Sequence, residues 1–488
     1  MLVRLKPYSL LAGLSALSVL GYLFISYSYY RLGFPLDDAW IHQTYARNLA
    51  ISGEWAFQPG VPSAGSTSPL WSGVLGTGYL LGLGPYIWTY LLGWIFLFSI
   101  SVVGFQTFRV LCPANTNRAL WIGIFLILEW HLVWAASSGM ETLSFSFMII
   151  LELTLLTRKY TNWLVLGLLI GLSVWLRPDG VTLAAPAFLC AFLISPSWRE
   201  RLSAIEKLGL GIFLLVLPYL AFNRSLSGNW WPNTFFAKQA EYAAYRQILF
   251  ASRWLAQASL PLVGAGVLLL PGFMLFIIRV LRDRIWGGLM SILWVFGYLT
   301  MYAWRLPVTY QHGRYVMPVM PVYFLCSLTG MFCWLQPFYP LLWKRVMGRA
   351  YLLSLGCVLI SFWFIGAKAY SRDVAVIESE MVATAHWIAA HTEKDALVAA
   401  HDIGAMGYYS GRRLLDMAGL TSPEVIPFIQ DEPRLKNLLD EKKVNYLATF
   451  PDWYPYLVER GKLVYSTEGL FSPAMGGENM SVYQWPIP

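Results

Sequence analysis

Charge is scarce in this chain. Only 13% of its 488 residues are Asp, Glu, Lys or Arg, while 57% are hydrophobic and the mean hydropathy is +0.53, which excludes a soluble globular protein. Cysteine is scarce as well. The five, Cys112, Cys190, Cys326, Cys333 and Cys357, lie in or beside apolar runs at spacings that give neither a disulfide framework nor a metal site. No repeated half and no glycine-rich nucleotide loop is present. The first apolar run, Pro7 to Tyr30, follows Arg4 and Lys6 and lacks a small-residue cleavage site after a short core, so it is expected to stay as a helix.

The formal net charge of +8 is unevenly divided. Residues 1–370 carry 25 Lys and Arg against 11 Asp and Glu, and residues 371–488 carry 10 against 16. A nucleic-acid partner would need the positives on the soluble part, and here that part is acidic.

What is there is a series of about eleven apolar runs: 8–30, 86–110, 118–136, 140–157, 162–177, 181–195, 207–223, 258–279, 286–304, 315–336 and 350–370. Threading them from a cytoplasmic amino terminus puts Arg4/Lys6, Arg109/Arg118, Arg158/Lys159, Arg199/Arg201/Lys207, Arg279/Arg282/Arg284 and Lys344/Arg345/Arg349 on one side. The expected fold is mainly α: a polytopic membrane domain over 1–370, two interfacial helices in its first external loop, and a small α/β domain outside over 371–488. The interfacial helices are expected near Ala39–Ile51, with Ile41, Tyr45 and Leu49 as an apolar stripe, and near Thr67–Leu83. In the tail, 396–400 and 445–450 have the pattern of buried strands, with helices near 379–391 and 435–439.

The first loop, Phe34 to Trp71, opens on two adjacent acids, Asp37 and Asp38. One could cap the helix that follows, and the other is then surplus. Two carboxylates at an apolar wall can raise one another's pKa, which suits a general base or the ligand of a cation. Arg177, Lys238, Arg305 and Arg314 fall on the outer side against the charge bias, as an anionic ligand would require. The bland alternative for each is snorkelling or pairing with a neighbouring acid. Glu129 and His131 lie inside the third run, as a functional pair or simply a satisfied one. His401-Asp402-Ile403-Gly404 has the form of a metal-phosphohydrolase motif, but it follows a strand and precedes a glycine-rich turn, without the helical histidines such a site needs.

PLDDAWIHQTYARNLA, GEWAFQPG and STSPLW together resemble the first external loop of bacterial GT-C glycosyltransferases, especially the mycobacterial terminal arabinofuranosyltransferases. SGMET, WLRPDG, WWPNTFFAK, HGRYVMPVMP and HDIGAMGYYSGRRLLDMAGLTSPEV resemble further markers of that group. The resemblance implies an inverting transferase that moves a sugar, arabinofuranose or another pentose or hexose, from a polyprenyl-phosphate donor to a glycan, lipid or protein acceptor outside the bacterial plasma membrane. It makes Asp37 or Asp38 the catalytic base. Arg177, Lys238, His312, Arg314 and Tyr315 fall at matching positions and are expected at the donor phosphate, and His42, Glu141, Asp179 and Asn233 at substrate hydroxyls. Some relatives hold a divalent ion (Mg, Mn or Ca) on external acids, and nothing in the spacing here compels one. Ser66-Thr67-Ser68-Pro69 stands where lipid A aminoarabinose transferases carry Lys-Pro-Pro, a departure that counts against a lipid A role. A lipid-linked sugar flippase and a non-catalytic envelope assembly factor are the competing readings; a flippase would be expected to show internal repeats and helices broken at mid-membrane.

Overall fold

A computed structural model describes residues 2–158, 161–334 and 342–486. Lys159, and positions 335 and 336 of the expected run 315–336, lie outside these. The chain is a mainly α, polytopic membrane protein. Its apolar runs coil into helices because backbone amides removed from water can be satisfied within one segment only in that way. Lys6–Tyr29, Tyr86–Leu111, Trp198–Ser227 and Leu342–His391 are each long and apolar enough to cross a membrane. Pro113–Leu128 and Trp130–Ser137, bent by 55° at their junction, together match a fifth.

That bend explains Glu129 and His131. Glu129 is extended (φ −69°, ψ 120°); one carboxylate oxygen caps the Leu132 amide at 3.2 Å and the other bonds His131 Nδ1 at 2.8 Å, so the pair is satisfied within the kink. Thr142–Leu155, Trp163–Leu176 and Val319–Trp334 are shorter apolar helices. Trp163–Leu176 packs so closely on Trp198–Ser227 that a Cβ on Gly167 would lie 2.3 Å from the Leu208 carbonyl oxygen. The crossing expected over 258–279 is not a single helix. Pro261 and Gly264 (φ +76°) break it into Phe250–Ser259, Ala265–Leu268 and Leu270–Asp283. Cys112 and Cys333, 221 residues apart and brought together by the ends of two helices, form a disulfide that the spacing did not suggest.

After the first span come the helix Asp38–Ser52, closed by Gly53 (φ +70°), a hairpin of β1 (Ala56–Gln58) and β2 (Val61–Pro62), and the helix Pro69–Leu80. Asp38–Ser52 is buried on more than its apolar stripe. Trp40 and Tyr45 are wholly enclosed, and the Trp40 ring lies 4.8 Å from both Tyr408 and Tyr409 of the C-terminal domain.

That domain is reached without a linker. Leu342–Ile377 runs through a π turn, Glu378–Val382, into Ala383–His391, so the composition change near 370 falls inside one helix. The sheet behind it contains β3 (Leu397–Ala400), β4 (Arg413–Asp416), β5 (Tyr446–Thr449), β6 (Lys462–Ser466) and β7 (Ser481–Gln484), in the order β4-β3-β5-β7-β6. Strands β4, β3 and β5 are parallel, and β7 runs antiparallel to β5 and β6. Val398, Leu447 and Val482 are buried at its centre.

Candidate functional site

The two acids of the first loop have different surroundings. Asp37 is 8% exposed and both its oxygens are occupied: Oδ2 accepts from the Gly404 amide at 2.6 Å and Oδ1 from the Ala405 amide at 2.8 Å. Asp38, the first residue of its helix, faces open space and accepts from Arg314 Nη2 at 2.5 Å. Burial alone would raise the Asp38 carboxyl, but Arg314 and Lys238 outweigh it and hold it below its usual value. Asp38 is therefore an ionised carboxylate at the wall of a cavity.

That cavity, about 130 Å³, is lined by four cations, Arg177, Lys238, Arg305 and Arg314, and three acids, Asp38, Glu141 and Asp179. Arg177 closes the helix Trp163–Leu176 just before Pro178. It donates to Asp179 Oδ2 at 2.9 Å and to the Tyr302 hydroxyl at 2.8 Å, and lies 3.9 Å from Glu141. Lys238 sits 3.2 Å from Glu241. Arg305, stacked 3.3 Å over the Phe235 ring, has no carboxylate partner among the described residues. Arg314 is 6% exposed, and its Nε and Nη1 are buried without a hydrogen-bond partner. Its Nη2 also donates to the Tyr315 hydroxyl at 3.1 Å.

The turn that delivers Arg314 is unusual. Gln311, His312 and Gly313 all have positive φ (+52°, +58° and +70°), a conformation that costs a non-glycine residue about 1–2 kcal/mol. His312, expected at a donor phosphate, does not line this cavity. Its Nε2 bonds Asp373 at 2.8 Å, and its ring lies within 5.4 Å of Trp130 and 5.3 Å of Trp134, so it pins the strained turn. Asn233 is also elsewhere: its Nδ2 donates to the Leu420 carbonyl at 3.3 Å, tying its helix to the C-terminal domain, and Thr234 lines the cavity instead. His42, Glu141, Asp179 and Tyr315 do line it. Asp179 is held by hydrogen bonds from Tyr298 and Tyr302 as well as Arg177, and His42 Nε2 is 3.4 Å from Glu141.

A second cavity, about 360 Å³, lies on the far side of Asp38, Lys238 and Arg314, which face both. The C-terminal domain supplies much of its wall, including His401, Asp402, Phe450, Trp453 and Glu478. The phosphohydrolase motif gives His401 and Asp402 no such place; their position directly after β3, at the carboxyl end of that strand, is the signal the sequence does carry. Arg305 was noticed as a misplaced cation and not carried into the site.

The donor set does not suit a divalent cation. Both Asp37 oxygens accept amides, and Asp38 is flanked by Arg314 and Lys238, whose charges would repel one. Among the described residues, no three His, Cys, Asp or Glu side chains converge as metal ligands.

A family model described as a domain of unknown function (DUF8728) matches residues 370–483, the C-terminal domain. No curated protein matches. Among solved structures, ArnT from Cupriavidus metallidurans bound to undecaprenyl phosphate superposes with a TM-score of 0.61 at 13% identity, covering 97% of this chain and 97% of that one. The oligosaccharyltransferase of Archaeoglobus fulgidus in its apo form gives 0.61 at 11% identity, covering 99% and 75%. A mycobacterial arabinofuranosyltransferase, AftD, reaches 0.49 at 13% identity over 96% and 41%, too low to carry an argument. The chain shares its overall fold with the first two of these membrane proteins.

Proposed function

We propose that this protein is an inverting glycosyltransferase of the GT-C fold that moves a sugar from a polyprenyl-phosphate donor to an acceptor hydroxyl at the outer face of a bacterial plasma membrane. One observation carries the reading: Arg314 bonds Asp38 with one nitrogen, keeps its two others buried without a hydrogen-bond partner, and lines a cavity together with Arg177, Lys238 and Arg305. Cations flank a carboxylate, as a reaction that expels a phosphate and takes up a proton requires. The fold relatives support the choice of phosphate. The C. metallidurans ArnT structure holds undecaprenyl phosphate, and the archaeal AglB structure was obtained with a dolichol-phosphate and an inhibitory peptide.

In this reading the acceptor oxygen attacks the anomeric carbon from the face opposite the phosphate, and the bond from carbon to phosphate oxygen breaks. The electron pair leaves on the polyprenyl phosphate, whose charge Arg314, Arg305, Lys238 and Arg177 neutralise. The acceptor proton passes to Asp38, the member of the acid pair that faces the cavities, while Asp37 secures the loop. The cation clusters at the opposite helix ends, Arg279/Arg282/Arg284 among them, support an outward-facing site and C-terminal domain. The test is titration of the purified protein with undecaprenyl phosphate by native mass spectrometry. Saturable binding that Arg314→Ala weakens is expected; equal binding by the variant, or none by the natural chain, overturns the reading.

A further inference from the structure

The second cavity is built differently from the first. Seven of its lining residues are carboxylates, among them Asp38, Glu241, Asp373, Asp402, Asp452 and Glu478, and its cations, Lys238 and Arg314, are already matched by Glu241 and Asp38. Asp402 Oδ2 is buried and has no hydrogen-bond partner, so an acceptor of hydrogen bonds stands ready in the wall. Trp453, Tyr242 and Tyr310 supply aromatic faces in the same space.

The loop that carries Asp402 is fixed residue by residue. His401 stands 2.7 Å from the Tyr454 hydroxyl through Nδ1 and 3.6 Å from Glu241 through Nε2; Ile403 is buried; Gly404 and Ala405 give their amides to Asp37. A Cβ on Gly404 would sit 2.0 Å from the Asp37 carbonyl oxygen, so only glycine allows this approach. Asp402 and Asp38 are thereby held at one site by two different domains.

We propose that this second cavity is the acceptor site, that it takes a neutral saccharide, and that Asp402 grips that saccharide by accepting a hydrogen bond from one of its hydroxyls. This rests on the sugar-transfer reading and narrows it. A phosphorylated or carboxylated acceptor would bring its charge against seven carboxylates, while Lys238 and Arg314 are taken up by the donor phosphate in the proposed reaction, whereas hydroxyls and an aromatic-stacked sugar ring satisfy the wall as built. Burial raises the Asp402 carboxyl to about 6, against the pull of His401 and Lys238 and with the push of Asp38 and Glu241, so it is a hydrogen-bond acceptor at neutral pH and a weaker one in acid.

The experiment uses full-length Asp402→Asn and Asp402→Glu in membranes of the source organism lacking the native copy, with labelled polyprenyl-phosphate sugar and the endogenous acceptor. Asp402→Asn is expected to keep undecaprenyl phosphate affinity within about twofold and to lose about 30-fold in transfer, the size of one hydrogen bond to a charged group. Asp402→Glu is expected to recover part of that, and the labelled product to carry the added sugar on an uncharged residue. Transfer by Asp402→Asn within threefold of the natural chain, or a product sugar attached to a phosphorylated or carboxylate-bearing residue, overturns the proposal alone. Absence of both lipid binding and transfer in the natural chain overturns the sugar-transfer reading and this proposal with it. Should Asp402→Asn fold poorly by its melting temperature, Trp453→Ala serves instead: a rise of about tenfold in acceptor KM with unchanged donor affinity is expected, and an unchanged KM refutes the site.

Discussion

Arg314 Nη2 meets Asp38 Oδ2 at 2.5 Å, across 276 residues of sequence, while Nε and Nη1 of the same guanidinium are buried without a hydrogen-bond partner. Arg314 helps hold the Asp38 carboxyl below its usual value against burial, and the proposed reaction gives its two remaining donors a phosphate to bind.

Removing those donors should cost transition-state stabilisation. Arg314→Ala is expected to lower turnover by about 100- to 1,000-fold, typical of losing a donor aimed at developing charge. Arg314→Lys should rescue little, because a point charge cannot hold Asp38 and a phosphate together. Single-turnover transfer measures both.

The adjacent acids should separate by assay. Asp38→Asn is expected to abolish transfer and leave the melting temperature nearly unchanged. Asp37→Ala strips the acceptors from two buried amides, a loss of about 2–5 kcal/mol, and should lower the melting temperature clearly. The opposite assignment of the two phenotypes would move the base to Asp37.

Gly404→Ala should resemble Asp37→Ala. The added methyl drives Asp37 and the C-terminal loop apart, so lower thermal stability and lower transfer are expected together, and full activity would show that the loop can give.

Acidity should affect stability through Asp402. Its folded value, about 6, lies above the ordinary 3.8, so the folded state holds the proton more tightly than the unfolded chain. Stability from this group is present in acid and is lost as pH rises between those values. Asp402→Asn removes the effect: its advantage in melting temperature over the natural chain should be small near pH 4 and grow to a plateau above pH 6. A constant difference across that window contradicts the environment described.

Sidedness can be read by cysteine labelling in intact cells. A cysteine at Lys394 should react with an impermeant maleimide and one at Lys344 should not; the reverse pattern would place the site in the cytoplasm.

Much of this was legible in the sequence because membrane helices announce themselves by composition alone. The expected interfacial helices near Ala39–Ile51 and Thr67–Leu83 appear as Asp38–Ser52 and Pro69–Leu80, and β3 and β5 fall where apolar runs marked them. What stayed hidden depends on contacts between distant segments. Nothing near Asp37 says that its oxygens belong to Gly404 and Ala405, and nothing near His312 says that Asp373 and two tryptophans will take it out of the cavity. The strands β4, β6 and β7 are short, and β6 is partly exposed, so their periodicity is weak. The break at Pro261 and Gly264 was visible residue by residue, yet the hydropathy on either side masked it.

The unbroken helix from Leu342 to His391 has a consequence for how turnover must work. The domain is continuous with a long helix and tied to the first loop through Asp37, Gly404 and Ala405, so it forms a standing part of the wall of the second chamber. In the proposed reaction, a lipid-linked donor and a saccharide acceptor would then reach the two chambers through openings in their walls rather than by a swing of the domain.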